Sequence, residues 1–477
     1  MNRETLAFQH LLDHAQESKA WSRRNEKTRF QAVGCRILVT RMSLHQTEQR
    51  VRASNSRAKR SHSLVRWLGP GLITGASDDD PSGIATYSQV GAQFGYGMLW
   101  TMLFSYPLMS AIQEISAHVG RVTGRGIAGN MKGYPRWLTY CIVGLLLIAN
   151  TINIGSDIAA MGTAMKLVAG GSALLYSSVF ALASVLLEVF ISYKKYARIL
   201  KWMTLTLFAY VGIVFVVHVP WVQALRSTLL PSLPLNAKSL TAFVAVLGTT
   251  ISPYLFFWQA SQEVEEIKDK PQAKPLKSAP KQARLDFRRI RIDTYVGMFF
   301  SNLIAFFIIL SCAVALHAHG IHQIDTAGQA AEALRPVAGR FAFLLFSLGI
   351  VGTGLLAVPV LAGSAAYPVC EVLHWRIGLD RELSRAKGFY GVIAAATLLG
   401  LALNLTPIDP IKALFWTAVI NGVVSAPVMV MMMFMASDAK IMTEKFTLKP
   451  GLKVMGWITT AVMLAAVIGM IATWGKN

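Results

Sequence analysis

Long apolar runs separated by short charged stretches constrain this chain more than any other feature. Eleven apolar segments recur, at about residues 67–91, 96–119, 138–166, 172–192, 199–220, 240–262, 294–318, 339–371, 388–406, 410–436 and 453–473. A run of ~20 apolar residues matches the hydrocarbon thickness of a bilayer, so these segments read as membrane-crossing helices. Spanning strands would instead be ~10 residues long and alternate in polarity. No segment here alternates in that way. Only 15% of the residues are charged, where a soluble protein carries roughly 25%. The two longest segments, 138–166 and 339–371, require tilt, a surface extension or an internal break. The expected fold class is an all-α membrane protein.

The charge is unevenly placed. A net charge of +21 would suit a nucleic-acid binder, but the basic residues cluster at the ends of apolar runs, which excludes that partner and leaves the lipid bilayer. With the N-terminus inside, the cytoplasmic segments hold 39 of the 46 Lys and Arg. That asymmetry predicts an inner-membrane protein with a cytoplasmic N-terminus and a periplasmic C-terminus, as an odd number of crossings requires. Residues 1–66 hold 14 Lys and Arg against 5 Asp and Glu and contain no apolar run. They read as a disordered cytoplasmic tail rather than a signal peptide, and a start at Met42 stays open. Cys35, Cys141, Cys312 and Cys370 lie too far apart for metal-ligand or redox spacing.

The longest connection, 263–293, carries Pro271, Pro275 and Pro280 among many charges and follows the sixth segment. Five helices on either side of a linker suggest a 5+5 inverted repeat, with halves at 67–220 and 240–436 and an eleventh helix at 453–473. The first helix of each half should then be discontinuous. The first segment reads Ser77-Asp78-Asp79-Asp80-Pro81-Ser82-Gly83, and the sixth reads Gly248-Thr249-Thr250-Ile251-Ser252-Pro253-Tyr254. Both place polar residues and a proline at the same point of their half. Proline removes a donor and frees carbonyls nearby, and in lipid those carbonyls need partners. Two breaks facing each other, with Asp80 beside one, offer the oxygen ligands and negative charge that hard cations prefer. Each aspartate costs ~2.5–3.5 kcal/mol at mid-membrane on the insertion scale, which makes a functional role the default reading. The bland alternative is an interfacial position for Asp78, Asp79 and Asp80. It would waste the apolar run 64–77. One of Asp78 and Asp79 could simply cap the next half-helix.

Other intramembrane polar residues carry weaker signals. Asn150, Asn153 and Asp157 share one face of the third segment. The asparagines suit interhelical hydrogen bonding as well as an ion or proton pathway, whereas Asp157 favours the pathway. Glu114 and His118, four residues apart, suit a structural pair. Asn421 precedes Gly422 and is either a ligand or interhelical glue. His317, His319 and His322 fit a solvated loop better than a metal collector. Met429, Met431, Met432, Met433 and Met435 point in all directions around a helix, which suits lipid contact better than a soft-metal site.

The stretches GPGLITGASDDDPSGIATYSQVGAQFGYGMLW, SAHVGRVTGRGIAG, INIGSDIAAMGTAMKL and LGTTISPYLFFWQAS resemble the NRAMP divalent-metal transporters, across residues 64–436. The resemblance implies a LeuT-like fold with helices 1 and 6 discontinuous. It implies a divalent ion as transported substrate, with no separate cofactor. Against the family's Asp-Pro-Gly-Asn motif, Asp80-Pro81-Ser82-Gly83 keeps the carboxylate and loses the asparagine at Gly83. Against Met-Pro-His, Ser252-Pro253-Tyr254 loses the thioether and the histidine linked to proton movement. Thr249 matches a residue that offers its carbonyl, and Asp157 matches an acid on the proton route, while Ala160 falls where a glutamate usually stands. The implied metal set is Asp80, Thr249, Ser252 and Asp79, with Asp157, Asn153, Tyr254 and Asn421 along an ion or proton path.

Loss of a thioether removes discrimination in favour of soft ions. The expected cargo is Mn²⁺ or Mg²⁺, similar to that of the NRAMP-related magnesium transporters, with proton coupling open. The competing expectation is a 5+5 transporter of a small organic solute such as an amino acid. Neither a sensor nor an enzyme finds support, because no signalling domain, nucleophile–base pair or cofactor motif is present. The oligomeric state is not fixed by sequence; a monomer suffices for this architecture.

Overall fold

The computed structural model describes residues 74–191, 203–379 and 383–474, apart from Ala76, Pro271 and Pro407. The tail 1–66, the opening of the first apolar segment and residues 192–202 at the start of the fifth lie outside the described residues.

Residues 74, 75, 77 and 78 are helical, the chain bends at Asp79, and α1 follows at Pro81–Phe94. The next helices are α2 (Trp100–Thr123), α3 (Arg136–Ala169), α4 (Ala173–Phe190) and the short α5 (Phe208–Ile213). The sixth segment is divided into α6 (Ala237–Thr250) and α7 (Pro253–Asp269). Then come α8 (Ala283–Ala315), α9 (Ala342–Leu373), α10 (Lys387–Leu403), α11 (Pro410–Ser437) and α12 (Pro450–Thr473). Both expected breaks are present, and each proline opens its second half-helix, where no backbone donor is needed.

Among the described residues, seven helical spans are long and apolar enough to cross a membrane: α3, α4, the α6–α7 pair, α8, α9, α11 and α12. α10 is apolar but shorter. α2 has the length, at 24 residues, but carries Gln113, Glu114, His118 and Arg121 on its buried face. The α6–α7 pair is almost wholly enclosed, whereas α4 exposes most of its length. The broken helices therefore sit at the centre, flanked by α3, α8 and α11.

In a membrane, helices associate by close packing and hydrogen bonds rather than by expelling apolar surface from water. Small residues set that packing here. A Cβ on Gly248 of α6 would lie 2.0 Å from the Ala418 carbonyl oxygen and 2.5 Å from the Gly422 nitrogen of α11. A Cβ on Gly75 would lie 2.4 Å from the Gly297 carbonyl of α8. Any larger residue would push a half-helix off its neighbour.

Two sequence expectations require correction. The 263–293 stretch is not all loop: α7 runs to Asp269 and α8 begins at Ala283, leaving 270–282 as the connection. Charged residues continue both helices because they pair across them. The Arg289 guanidinium lies 2.5 Å from Glu263 Oε2 and 2.8 Å from Glu266 Oε2. The methionines of α11 do not face lipid: Met429, Met431, Met432, Met433 and Met435 are all buried. Met433 fills the space at Gly456 of α12, alongside Ile115 of α2. A thioether's flexibility suits such irregular gaps.

Candidate functional site

The site begins with the way α1 starts. Asp80 has extended backbone geometry (φ −68°, ψ 170°) and is the N-cap of α1. Its Oδ1 accepts from the Gly83 N–H at 2.7 Å and from the Ser82 hydroxyl at 2.6 Å. Capping satisfies an otherwise orphaned donor, and the positive end of the half-helix favours a carboxylate there. Gly83 therefore supplies a backbone donor to Asp80. A Cβ at this position would meet the Asp78 carbonyl oxygen at 3.3 Å and the Tyr87 ring at 3.4 Å.

The other oxygen of Asp80 faces the second broken helix and α3. The Tyr254 hydroxyl, one residue into α7 from Pro253, lies 3.1 Å from Asp80 Oδ2 and 3.3 Å from the Ser77 carbonyl. One phenol thus touches both sides of the first break. The Asn153 amide of α3 donates to the same Oδ2 at 3.5 Å. One turn along α3, Asp157 is fully buried with no side-chain partner; the backbone N–H of Ser82, at the start of α1, faces its carboxylate, and Asp80 is the charge that acts on it. The Asn153 side-chain oxygen is likewise unpartnered.

At the second break the hydroxyls turn back on their own helix. Ser252 Oγ lies 2.6 Å from the Gly248 carbonyl and 2.7 Å from the Thr249 carbonyl. Thr249 donates to the carbonyl of Val246 at 2.9 Å. The Ile251 carbonyl accepts from Ser425 of α11 at 2.6 Å. These bonds hold the carbonyls that a mid-membrane break frees. Asn421 is buried on α11 beside the Gly248–Gly422 contact, with neither amide atom partnered.

Asp79 belongs to a different neighbourhood from Asp80. The Ser301 hydroxyl of α8 lies 2.6 Å from Asp78 Oδ2 and 3.2 Å from Asp79 Oδ1. The structure therefore brings Asp80, Asn153 and Tyr254 together with Asp157 close by. It sets Thr249 and Ser252 against each other and turns Asp79 toward α8. Ser301 and Tyr87 were missed by sequence reasoning, because a serine or tyrosine in an apolar helix carries no signal of its own.

The remaining polar candidates resolve into structure. Asn150 bonds the Leu361 carbonyl at 3.1 Å and the Ser364 hydroxyl at 2.8 Å, tying α3 to α9. Glu114 lies 3.6 Å from His118 and 3.0 Å from Arg291. His317 bonds the Ala92 carbonyl and stacks against His322, while His319 is exposed.

The family model described as "Natural resistance-associated macrophage protein-like", Nramp, matches residues 71–473. The chain belongs to the Nramp family. The Klebsiella pneumoniae (strain 342) protein named divalent metal cation transporter MntH is 24% identical over 430 residues, covering 88% of this chain and 96% of that protein. The Eremococcus coleocola manganese transporter structure superposes with a TM-score of 0.66 at 17% identity, covering 88% of this chain and 90% of that one. MhsT in complex with L-phenylalanine gives a TM-score of 0.58 at 12% identity, covering 84% and 98%. At these identities the structural likenesses establish the fold, the LeuT-like arrangement with two broken helices. Within this Nramp chain, the described donors around Asp80 are hydroxyl, amide, carbonyl and carboxylate oxygens, a hard-cation set.

Proposed function

We propose that this Nramp chain carries a divalent metal cation, Mn²⁺ or Mg²⁺, across the membrane by alternating access. Asp80 is the central ligand. The observation that carries the reading is the position of its carboxylate, at the start of a half-helix and within reach of Tyr254 from the other broken helix. Asp157 and the unpartnered Asn153 oxygen, both buried, supply further oxygens on α3. The named relatives are metal transporters, which supports the cargo class. The charge distribution favours an inner-membrane location with the basic end of the bundle in the cytoplasm.

An organic solute is the competing cargo, since MhsT shares the fold. An amino-acid carboxylate would seek the bare N-terminus of a half-helix. In this chain Asp80 already occupies that end of α1 and repels a second carboxylate. Proteoliposomes test the reading: Mn²⁺ or Mg²⁺ uptake should occur and should fall to background in Asp80→Ala. Full uptake in that variant would sink it. A pH-sensitive dye in the lumen decides whether protons move with the metal.

A further inference from the structure

Four aspartates, Asp78, Asp79, Asp80 and Asp157, are buried at the centre of the bundle, none more than 3% exposed. The charges that act on them from described residues are one another's, and the groups bonding them are hydroxyls and amides. No described Lys, Arg or His serves them. Ionised, the four carry a formal charge of four minus. One divalent cation at Asp80 would leave half of that charge uncompensated in a low-dielectric interior, at a cost of several kcal/mol per ion in real proteins.

The four divide into two groups that face different helices. Asp80 faces α3 and α7, and Asp157 lies on α3 toward it. Asp78 and Asp79 face α8, where Ser301 bridges them. The close approach of Gly75 to Gly297, one turn before Ser301, holds this half of the broken helix against α8. Two further observations point to a ligand in the second group. Asp78 Oδ1 is buried without a hydrogen-bond partner. The Tyr87 hydroxyl of α1 is fully buried and makes no close hydrogen bond; Thr249 at the second break and the carboxylates of Asp78 and Asp79 are the polar groups that act on it. A hydroxyl and two carboxylates, each with free lone pairs, form an oxygen-only group suited to a hard divalent ion.

We propose a second divalent-cation site formed by Asp78, Asp79, Ser301 and Tyr87, in tandem with the Asp80 site and filled by the same hard class of ion. It extends the reading of Asp80 as a metal ligand and rests on it. Two divalent ions balance the four carboxylates, and α8 becomes a ligand-bearing helix.

Equilibrium dialysis of the purified full-length chain against Mn²⁺, with bound metal counted by elemental analysis, tests the tandem. Two ions per chain are expected, together with an electron paramagnetic resonance signal broadened by the neighbouring ion. Asp78→Asn combined with Asp79→Asn should leave one ion and a narrow signal. Ser301→Ala, which keeps both carboxylates and the helix, should weaken one site about tenfold and spare the other. A single ion in the native chain that Asp80→Asn abolishes would overturn the second site and leave the Asp80 reading intact. No bound ion at all would overturn both. Two ions that both persist in the folded Asp78→Asn, Asp79→Asn variant would place the second site elsewhere and overturn this assignment.

Discussion

Buried acids at the centre of the bundle and at its basic end are answered differently. At the basic end, Glu263 and Glu114 are buried and each meets a guanidinium, from Arg289 and Arg291. Asp286 binds Arg121 at 2.7 Å. At the centre, Asp78, Asp79 and Asp80 meet only hydroxyls and amides, and Asp157 has only the Ser82 backbone N–H before it. The chain thus has arginines to spare for fixing helices together, and none among the described residues is set against the acids of the breaks. A fixed internal cation would neutralise those acids permanently. Withholding it leaves the neutralisation to a mobile ion, which is what a transporter requires.

Supplying the missing cation covalently is the strongest way to break that contrast. Asn153 lies 3.5 Å from Asp80 Oδ2, so Asn153→Lys would bring an ammonium to the carboxylate. Uptake of Mn²⁺ should drop about a hundredfold, the size expected when a desolvated charge pair must be broken for the ion to bind. The folded variant should also lose the rise in melting temperature that excess Mn²⁺ gives the native chain. Unchanged Mn²⁺ binding in that variant would show that Asp80 is not where charge compensation matters.

The converse change belongs at the basic end. Glu263→Gln removes one partner of Arg289 while Glu266 remains 2.8 Å away. Stability should fall by about 2 kcal/mol, at the low end for breaking a buried pair because the second carboxylate persists. The number of bound Mn²⁺ ions should not change. A change in metal stoichiometry, measured by the same dialysis, would mean that the two regions are not independent.

How much of this was legible in the sequence depended on whether water or lipid would have left a mark. Prolines beside polar residues in apolar runs mark a break whatever surrounds them, so both breaks and Asp80 were readable. The facing of a nearly uniform apolar helix is not, because lipid and protein interior select the same residues. The methionines of α11, spread around the helix, read as lipid contacts, yet they fill the core. Ser301 was invisible for the same reason: its meaning comes from the rotation of α8, which the sequence does not encode. The ends of α7 and α8 were hidden by their charges, which look like a loop until Arg289 is seen to sit between Glu263 and Glu266. Ser252 shows what the sequence leaves open: its hydroxyl donates to the carbonyls of its preceding turn, and its oxygen lone pairs stay free.

The smallest change sharpens the comparison at a single atom. Tyr254 is the residue whose hydroxyl donates to Asp80 Oδ2. If the ion replaces that hydroxyl, Tyr254→Phe removes a competitor. The metal-free protein should lose about 1 kcal/mol of stability, the net worth of one buried hydrogen bond. Because the bound state loses nothing equivalent, Mn²⁺ should bind more tightly, by up to about tenfold. The Ser77 carbonyl, 3.3 Å from the hydroxyl, gives the phenol a second acceptor once Asp80 turns to the ion, and that alternative keeps the gain small. A titration of the variant decides between two roles. Tighter binding identifies Tyr254 as a placeholder that the ion displaces. Weaker binding would make its oxygen a ligand, and the contrast between hydroxyl-answered and arginine-answered acids would then hold only in the metal-free state.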